Sequence, residues 1–394
     1  MNALLQIVIP ALVAFFCTSW IYPIVLRVAK TKNIVDNPDA RKLQRRPVPI
    51  LGGLTVVFGV LSGLMAFNLL GNTFEMFPVF SSIIIILVIG LIDDMISLSP
   101  KVRFVVEILL VLYMIGATGC QLNNFDGLWG LSVISNYVSI PLTVVACVGI
   151  INAINLIDGV DGYSSGYSIV CCTLFGAMFY ALGEVCMASL AAVVAASLLP
   201  FFIHNVFGKY SKMFIGDAGT LSLGIVFSAF VTTMLSADYS AVERLSNMSL
   251  IPFALAVLSV PVFDTLRVMS ARMWRGRSPF SPDKTHLHHL FIELGFSHIG
   301  TASSIIGMNM LVVASWYVAC RCGLSVEEQL YIVLVLGFLV TFVFYPFVKS
   351  HLRRQTGLYR ALNAVAKQTH IERRGFWLKM QRLADFAGRK KSGE

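Results

Sequence analysis

Three short stretches of the chain gather oxygen-bearing side chains at the ends of apolar runs. The first, GLIDDMISLSPKVRF, contains the adjacent pair Asp93 and Asp94. Neighbouring carboxylates at a membrane boundary repel each other and lose hydration. A metal ion, a cationic partner or a phosphate site would justify them, and a solvated helix cap is the plain alternative. In the second, NAINLIDGVDGYSSG, Asn152, Asn155, Asp158 and Asp161 recur at every third position. On a helix each such step turns about 60°, so neighbours share a face, while Gly159 and Gly162 let the backbone turn and approach a ligand. Four such side chains suit a hard cation and its phosphate, or else a polar helix end followed by a glycine turn. In the third, KMFIGDAGTLSLG, Asp217 precedes a helix start. It is either a metal ligand beside amides able to hold a phosphate, or a helix cap.

A fourth stretch, RGRSPFSPDKTHLHHL, supplies positive charge and imidazoles: Arg275, Arg277, Lys284, His286, His288 and His289, with Arg272 just before. This set suits a diphosphate and a nucleotide-sugar. A zinc site would need further ligands at set spacing, and no cysteine is nearby. The alternative is a basic loop of the kind that flanks membrane spans.

Elements that hold these stretches must be membrane helices. Of 394 residues, 57% are hydrophobic and only 13% charged, with a mean hydropathy of +0.77; soluble domains carry about 25% charged residues. Apolar runs long enough for a ~30 Å hydrocarbon core recur about eleven times, near 4–26, 51–70, 77–92, 104–120, 138–157, 163–182, 185–203, 218–237, 247–266, 299–320 and 328–348. A spanning backbone must satisfy its own hydrogen bonds, so the expected fold is all-α and polytopic. The first run has no basic residue before it and reads as a retained span. With the N-terminus outside and the C-terminus cytoplasmic, 28 of the 30 Lys and Arg fall on inner loops and the tail, leaving Arg244 and Arg321 outside. That asymmetry fixes orientation and puts all four stretches on the cytoplasmic face. A transporter would instead place ionisable groups near mid-membrane. Glu107 reads as the one acid clearly inside a span, paired with Arg103 four residues away.

The chain divides into a membrane domain, 1–348, and a basic tail, 349–394. Twelve Lys and Arg in the tail against Glu372, Asp385 and Glu394 account for the whole net charge of +9. The high pI therefore reflects the tail, not a nucleic-acid groove, and no nucleic-acid partner is expected. Phe376, Trp377, Met380 and Leu383 recur at helical spacing among Lys379, Arg382, Arg389, Lys390 and Lys391, the pattern of a helix lying in a membrane surface. Eight cysteines without metal spacing imply no disulfide framework.

Taken in order, GLIDDMISL, NAINLIDGVDG, MFIGDAG and SPDKTHLHH resemble the polyprenyl-phosphate N-acetylhexosamine-1-phosphate transferases, and DNPDARKLQRRPVPILGG (36–53) resembles that family's first inner loop. The likeness covers roughly residues 10–345. His286-Leu-His288-His289 looks like the branch that uses GlcNAc-1-phosphate. The peptidoglycan branch, phospho-N-acetylmuramoyl-pentapeptide transferase, typically has three consecutive histidines and ten spans. Gln44, where the family often has histidine, and Tyr163, usually leucine, depart from the pattern. The resemblance implies Mg²⁺, with Mn²⁺ as a substitute, bound by Asp217 with Asn155 and Asp158 close by. It implies that Asp93 and Asp94 act on the lipid phosphate, with Asp158 and Asp161 completing the catalytic acids. Lys101 would contact phosphate, and Asn152 and Asn205 the substrate. Arg277, His286, His288 and His289 would bind the donor. The implied partners are UDP-GlcNAc or a related UDP-amino sugar, undecaprenyl phosphate, the lipid bilayer and a second copy of the chain as a homodimer. The implied location is the bacterial inner membrane.

Overall fold

The computed structural model describes residues 3–38, 46–70, 76–236, 249–281, 283–371 and 375–389. Gln44, Arg244, Glu372, Lys390, Lys391 and Glu394 lie outside the described residues. In chain order the elements are α1 (Ala3–Thr31), β1 (Val35–Asp36), β2 (Val48–Pro49), α2 (Gly52–Leu69), α3 (Phe77–Ile96), α4 (Pro100–Thr118), α5 (Asn136–Leu156), α6 (Tyr163–Leu182), α7 (Val185–Phe207), α8 (Gly216–Met234), α9 (Leu250–Trp274), α10 (Leu287–Glu293), α11 (His298–Arg321), α12 (Val326–Phe338), α13 (Phe344–Arg354), α14 (Gly357–Gln368) and α15 (Gly375–Arg389). A π-helical turn, Leu339–Val343, joins α12 to α13.

Among the described residues, ten helices are long and apolar enough to cross a membrane; α12 to α13 count as one continuous 29-residue helix. The sequence led us to expect about eleven. The difference is α4, which is helical over 19 residues but carries Lys101, Arg103 and Glu107 along them. Large apolar side chains stay exposed along these helices, such as Phe16, Trp20 and Leu12 on α1 and Val145 on α5. A water-soluble surface rarely shows contiguous patches of that kind, whereas lipid accepts them.

The chain forms two compact units. One comprises Met1–Val106, Asp158–Val226 and Ile371–Glu394, and the other Glu107–Ile157 and Phe227–His370. In the first, α1, α2, α6 and α7 pack together around buried Tyr22, Phe175, Phe179 and Phe201. β1 and β2 pair antiparallel, Val35 with Pro49 and Asp36 with Val48, closing the first loop. That loop then docks on the segment before α8: Gly52 N donates to Phe214 O (2.9 Å), Gly53 N to Ile215 O (2.7 Å) and Phe214 N to Pro49 O (2.8 Å). α3 approaches the start of α8 so closely that a Cβ on Gly90 would lie 2.4 Å from Ala218 Cα. Any larger residue would push the two apart.

The second unit is built on α9, α11 and α12. Pro261 lies inside α9, and a helical proline clashes with the carbonyl four residues back and lacks an N–H. Asn309 of α11 meets the freed groups: its Nδ2 donates to Val257 O (3.0 Å), and its Oδ1 accepts from Val260 N and Ser259 Oγ (both 3.0 Å). Such repair is what permits proline in a spanning helix. It also fixes the direction of the next turn, which carries Asp264 and Arg267.

Candidate active site

The first unit gathers Asp93, Asp94, Asp158, Asp161 and Asp217. Asp94, on the last turn of α3, accepts from Asp217 N (Oδ1, 2.8 Å) and Ala218 N (Oδ2, 3.2 Å). It thus caps α8 from another helix, where a carboxylate also meets the positive end of the helix dipole. Two N-terminal amides of α8 expected from the sequence to hold a phosphate are therefore already occupied. Asp217 itself sits in the first turn of α8. The turn into α8 is left-handed at Gly216 (φ +69°), where a Cβ would meet Asp94 Oδ2 at 2.5 Å, so glycine is required on both counts.

Asp93 points the other way. Its Oδ1 accepts from Leu98 N (2.6 Å), and its Oδ2 accepts from Arg103 Nη1 (3.2 Å). Arg103 also lies 3.7 Å from Asp217 Oδ2, so it bridges α3 and α8. Asp161 pairs with Lys212 Nζ at 2.5 Å. Asp158 accepts from Ser164 Oγ (2.7 Å). Its carboxyl is open to solvent on one side yet crowded by protein on the others. That desolvation, with Asp217, Asp161 and Asp36 nearby, outweighs the Ser164 bond and pushes its pKa up to about 7. Lys101, also in this unit, is exposed at the start of α4.

Asn205 is buried in the same unit. Its Oδ1 accepts from Gly162 N (2.7 Å) and its Nδ2 donates to Met213 O (3.0 Å). It thereby staples the Asp158–Asp161 loop to the segment before Asp217, and its known partners are backbone.

The second unit holds the histidines. His286 caps the short helix α10, and His288 and His289 follow within it. His286 Nδ1 lies 3.0 Å from Asp264 Oδ2, and the same oxygen accepts from Leu287 N (3.2 Å). Asp264 Oδ1 in turn accepts from Arg267 Nη2 (2.6 Å) and Nε (3.2 Å). Arg267 also donates to Thr285 O (2.6 Å) and lies over the Tyr345 ring at 3.8 Å. A carboxylate beside Nδ1 keeps the proton there and leaves Nε2 as the second face of the ring. His286 Nε2 and His289 Nδ1 are buried without a hydrogen-bond partner among the described residues. The three rings are 4.2–6.4 Å apart. Burial first, and the other imidazoles second, lower the pKa of His288 and bring that of His289 down to about 4. These two rings are neutral near pH 7.

The basic loop divides likewise. Arg272 is buried and locked: its Nε and Nη2 donate to Asp283 (3.0 and 3.1 Å) and its Nη1 to Pro279 O (2.6 Å). Burial works against the Asp283 charge, but the Arg272 and Thr285 hydrogen bonds prevail and hold its pKa at about 2. Arg275, Arg277 and Lys284 are exposed.

Asn152 and Asn155 lie on α5, in the second unit. Asn152 is buried and donates to Glu107 Oε2 (2.5 Å) and Val148 O (2.9 Å). Glu107 therefore has a cross-helix amide partner in Asn152. Glu107 is not the one acid inside a span: α9 runs to Trp274, and Asp264 lies within it. Asp264 already lies within the apolar run 247–266, two residues from its inner end. The signal that identifies it is an Asp and an Arg three apart on an otherwise apolar helix.

Residues 76–235 match glycosyl transferase family 4. Over 296 residues the chain is 35% identical to a probable undecaprenyl-phosphate N-acetylglucosaminyl 1-phosphate transferase of Bacillus subtilis, covering 75% of this chain and 80% of the relative. The chain belongs to the polyprenyl-phosphate N-acetylhexosamine-1-phosphate transferase family. A decaprenyl-phosphate N-acetylglucosaminephosphotransferase of Mycolicibacterium smegmatis is 32% identical over 309 residues, 73% of this transferase-family chain and 75% of the relative. An undecaprenyl-phosphate alpha-N-acetylglucosaminyl 1-phosphate transferase of Escherichia coli is 27% identical over 349 residues, 84% and 91% respectively.

The family implies Mg²⁺, and the donor chemistry of the transferase's acidic cluster fits it. Hard carboxylate oxygens crowd one another there, and burial together with the neighbouring Asp217 and Asp161 charges raises the Asp158 pKa to about 7. No three His, Cys, Asp or Glu side chains converge on one point among the described residues. Mg²⁺ is usually bound through one or two carboxylates, with water and substrate phosphate completing its shell, so a fuller protein cage is not needed.

Proposed function

We propose that this chain transfers GlcNAc-1-phosphate from UDP-GlcNAc to undecaprenyl phosphate and releases UMP. It works at the cytoplasmic face of the bacterial inner membrane, with eleven spans, the N-terminus outside and the C-terminus inside. The observation that carries the reading is the set of mutually repelling carboxylates, Asp94, Asp158 and Asp217, arranged around the start of α8 in a chain of this family. The relatives' names favour GlcNAc over the muramoyl-pentapeptide donor.

In the reaction an oxygen of the lipid phosphate bonds to the β-phosphorus of the donor, and the bond from that phosphorus to the UMP oxygen breaks. The acceptor is already ionised near neutral pH, so positioning and charge neutralisation matter more than a strong base. Asp217 and Asp158 would hold Mg²⁺, with Asn155 close in sequence. When bound, the ion neutralises the diphosphate and the departing UMP. Asp94 fixes the Asp217 backbone, and Asp93 with Arg103 fixes the turn between α3 and α4. This bonding favours positioning roles for the adjacent pair over nucleophilic attack. Asp161 holds Lys212, a cation available to phosphate once the pair opens, and Lys101 adds a second exposed cation. In the second unit His288 and His289 would recognise the donor as neutral rings beside His286, and Arg277 would supply charge.

Purified protein given undecaprenyl phosphate and a panel of UDP-sugars tests this. UMP release with a lipid product heavier by GlcNAc-1-phosphate is expected. Release only with the muramoyl-pentapeptide donor would move the chain to the other branch, and UMP release with no donor would end the enzymatic reading.

A further inference from the structure

Helix α15 packs on α7. Trp377 is buried, its ring 4.7 Å from that of Phe207. Phe376 and Leu383, which the sequence placed on the same membrane-facing stripe, are exposed. Two turns beyond Trp377 comes Asp385, only 5% exposed. Its Oδ1 accepts from Tyr210 N (2.9 Å), Ser211 N (3.0 Å) and Ser211 Oγ (3.0 Å), and Lys209 N lies within 3.3 Å of both oxygens. Three consecutive backbone amides thus converge on one carboxylate, the geometry of an anion-binding nest.

That nest belongs to the segment 208–215, between α7 and α8. Other groups hold its outer side: Tyr22 Oη donates to Ser211 O (2.8 Å) and Lys30 Nζ to Tyr210 O (2.6 Å). One residue past the nest, Lys212 reaches Asp161. Met213 follows, stapled by Asn205, then Phe214 and Ile215, pinned by Gly52 and Gly53, and then Asp217. Lys212 and Asp217 thus lie on and just beyond a segment anchored at its beginning by the far end of the chain, in addition to the contacts that Asp161, Asp94 and Arg103 make with them.

We propose that Asp385 is a positioning residue for the transfer reaction, holding segment 208–215 so that Lys212 and Asp217 keep their places; this rests on the function proposed above. Removing the carboxylate leaves three converging amides without their acceptor, an unfavourable state for the buried Ser211 N–H. The segment relaxes, and small misplacements of catalytic groups cost on the order of 100-fold in rate.

The test compares wild type with Asp385→Ala and Asp385→Asn, each full length and quantified as folded, monodisperse protein. Two readouts are taken: steady-state transfer, and hydrogen–deuterium exchange of the 208–216 peptides. Expected for Asp385→Ala are a kcat lower by about 10-fold or more, a KM for UDP-GlcNAc within about 3-fold, and faster exchange at Tyr210 and Ser211. Asp385→Asn recovers part of both, because a neutral acceptor makes hydrogen bonds about half as strong as a carboxylate. A kcat within 2-fold of wild type, or a loss explained wholly by less folded protein, overturns the proposal. Should Asp385→Ala not fold, Asp385→Asn decides alone: kcat and exchange both at wild-type values overturn it. A wild-type enzyme inactive with every UDP-sugar would sink the proposed function instead, and the exchange readout would still report whether Asp385 holds the segment.

Discussion

Asp94 and Asp264 are both aspartates on apolar helices, yet their surroundings differ in sign. Asp264 is matched by Arg267 and His286, with Leu287 N completing its shell. Among the described residues Asp94 accepts from the amides of Asp217 and Ala218, and its charged neighbours include Asp217 and Asp158. Around Asp264 the histidine cluster is therefore electrostatically closed, its acid matched within the network, and His288 and His289 are neutral rings. The acidic cluster is open, with more negative charge than its own Arg103 and Lys212 offset. A self-balanced site recognises shape and hydrogen bonding; an unbalanced one demands a cation.

Three substitutions break or sharpen that contrast. Asp264→Ala removes the counter-charge from a closed network and leaves Arg267 buried. Breaking a buried pair costs about 3–5 kcal/mol, so thermal or denaturant unfolding in detergent should show a severely weakened protein. Wild-type stability would show that the network is not closed as described. Asp217→Asn acts on the open cluster and should leave folding intact by size-exclusion chromatography while removing at least nine-tenths of transfer activity, about 1.4 kcal/mol or more of transition-state stabilisation. A variant keeping more than that is incompatible with Asp217 as an essential metal ligand.

Asp158→Asn gives the smallest effect and the clearest sign. An acid whose pKa is raised to about 7 on folding favours the fold fully only below its unfolded value of about 3.9. That contribution is lost as pH rises through 7. The amide cannot ionise, so the metal-free variant should unfold at a higher temperature than wild type at pH 8 and at the same temperature near pH 4. A gain that is equal at both pH values would remove charge repulsion as the cause.

Much of the scaffold was legible because a spanning helix announces itself by twenty apolar residues in a row. The four polar stretches were legible because charge is costly at their positions. α4 was part of the expected count as the run 104–120, but it falls outside the ten helices long and apolar enough to span because Lys101, Arg103 and Glu107 dilute it. Contacts between distant segments left no such trace. Nothing in GLIDDM indicates that Asp94 caps α8 and Asp93 the α3–α4 turn, because both reach partners that periodicity does not register. The tail misled in a similar way. Its helical stripe suggested a membrane surface, but Trp377 and Asp385 turn inward to α7 and the segment after it, 174 residues earlier for the Asp385–Ser211 bond.

The cap on α8 also has a consequence for how the protein is made. Its carboxylate is synthesised 123 residues before the amide it receives. At about 5–20 residues per second the ribosome needs roughly 6–25 s to cover that distance. Throughout that interval α3 already sits in the bilayer with Asp94 unmatched, while α5, α6 and α7 are threaded in behind it. Completion of this corner of the enzyme is therefore a timed event in biogenesis: the start of α8 reaches its final hydrogen bonding only after four intervening helices have been placed.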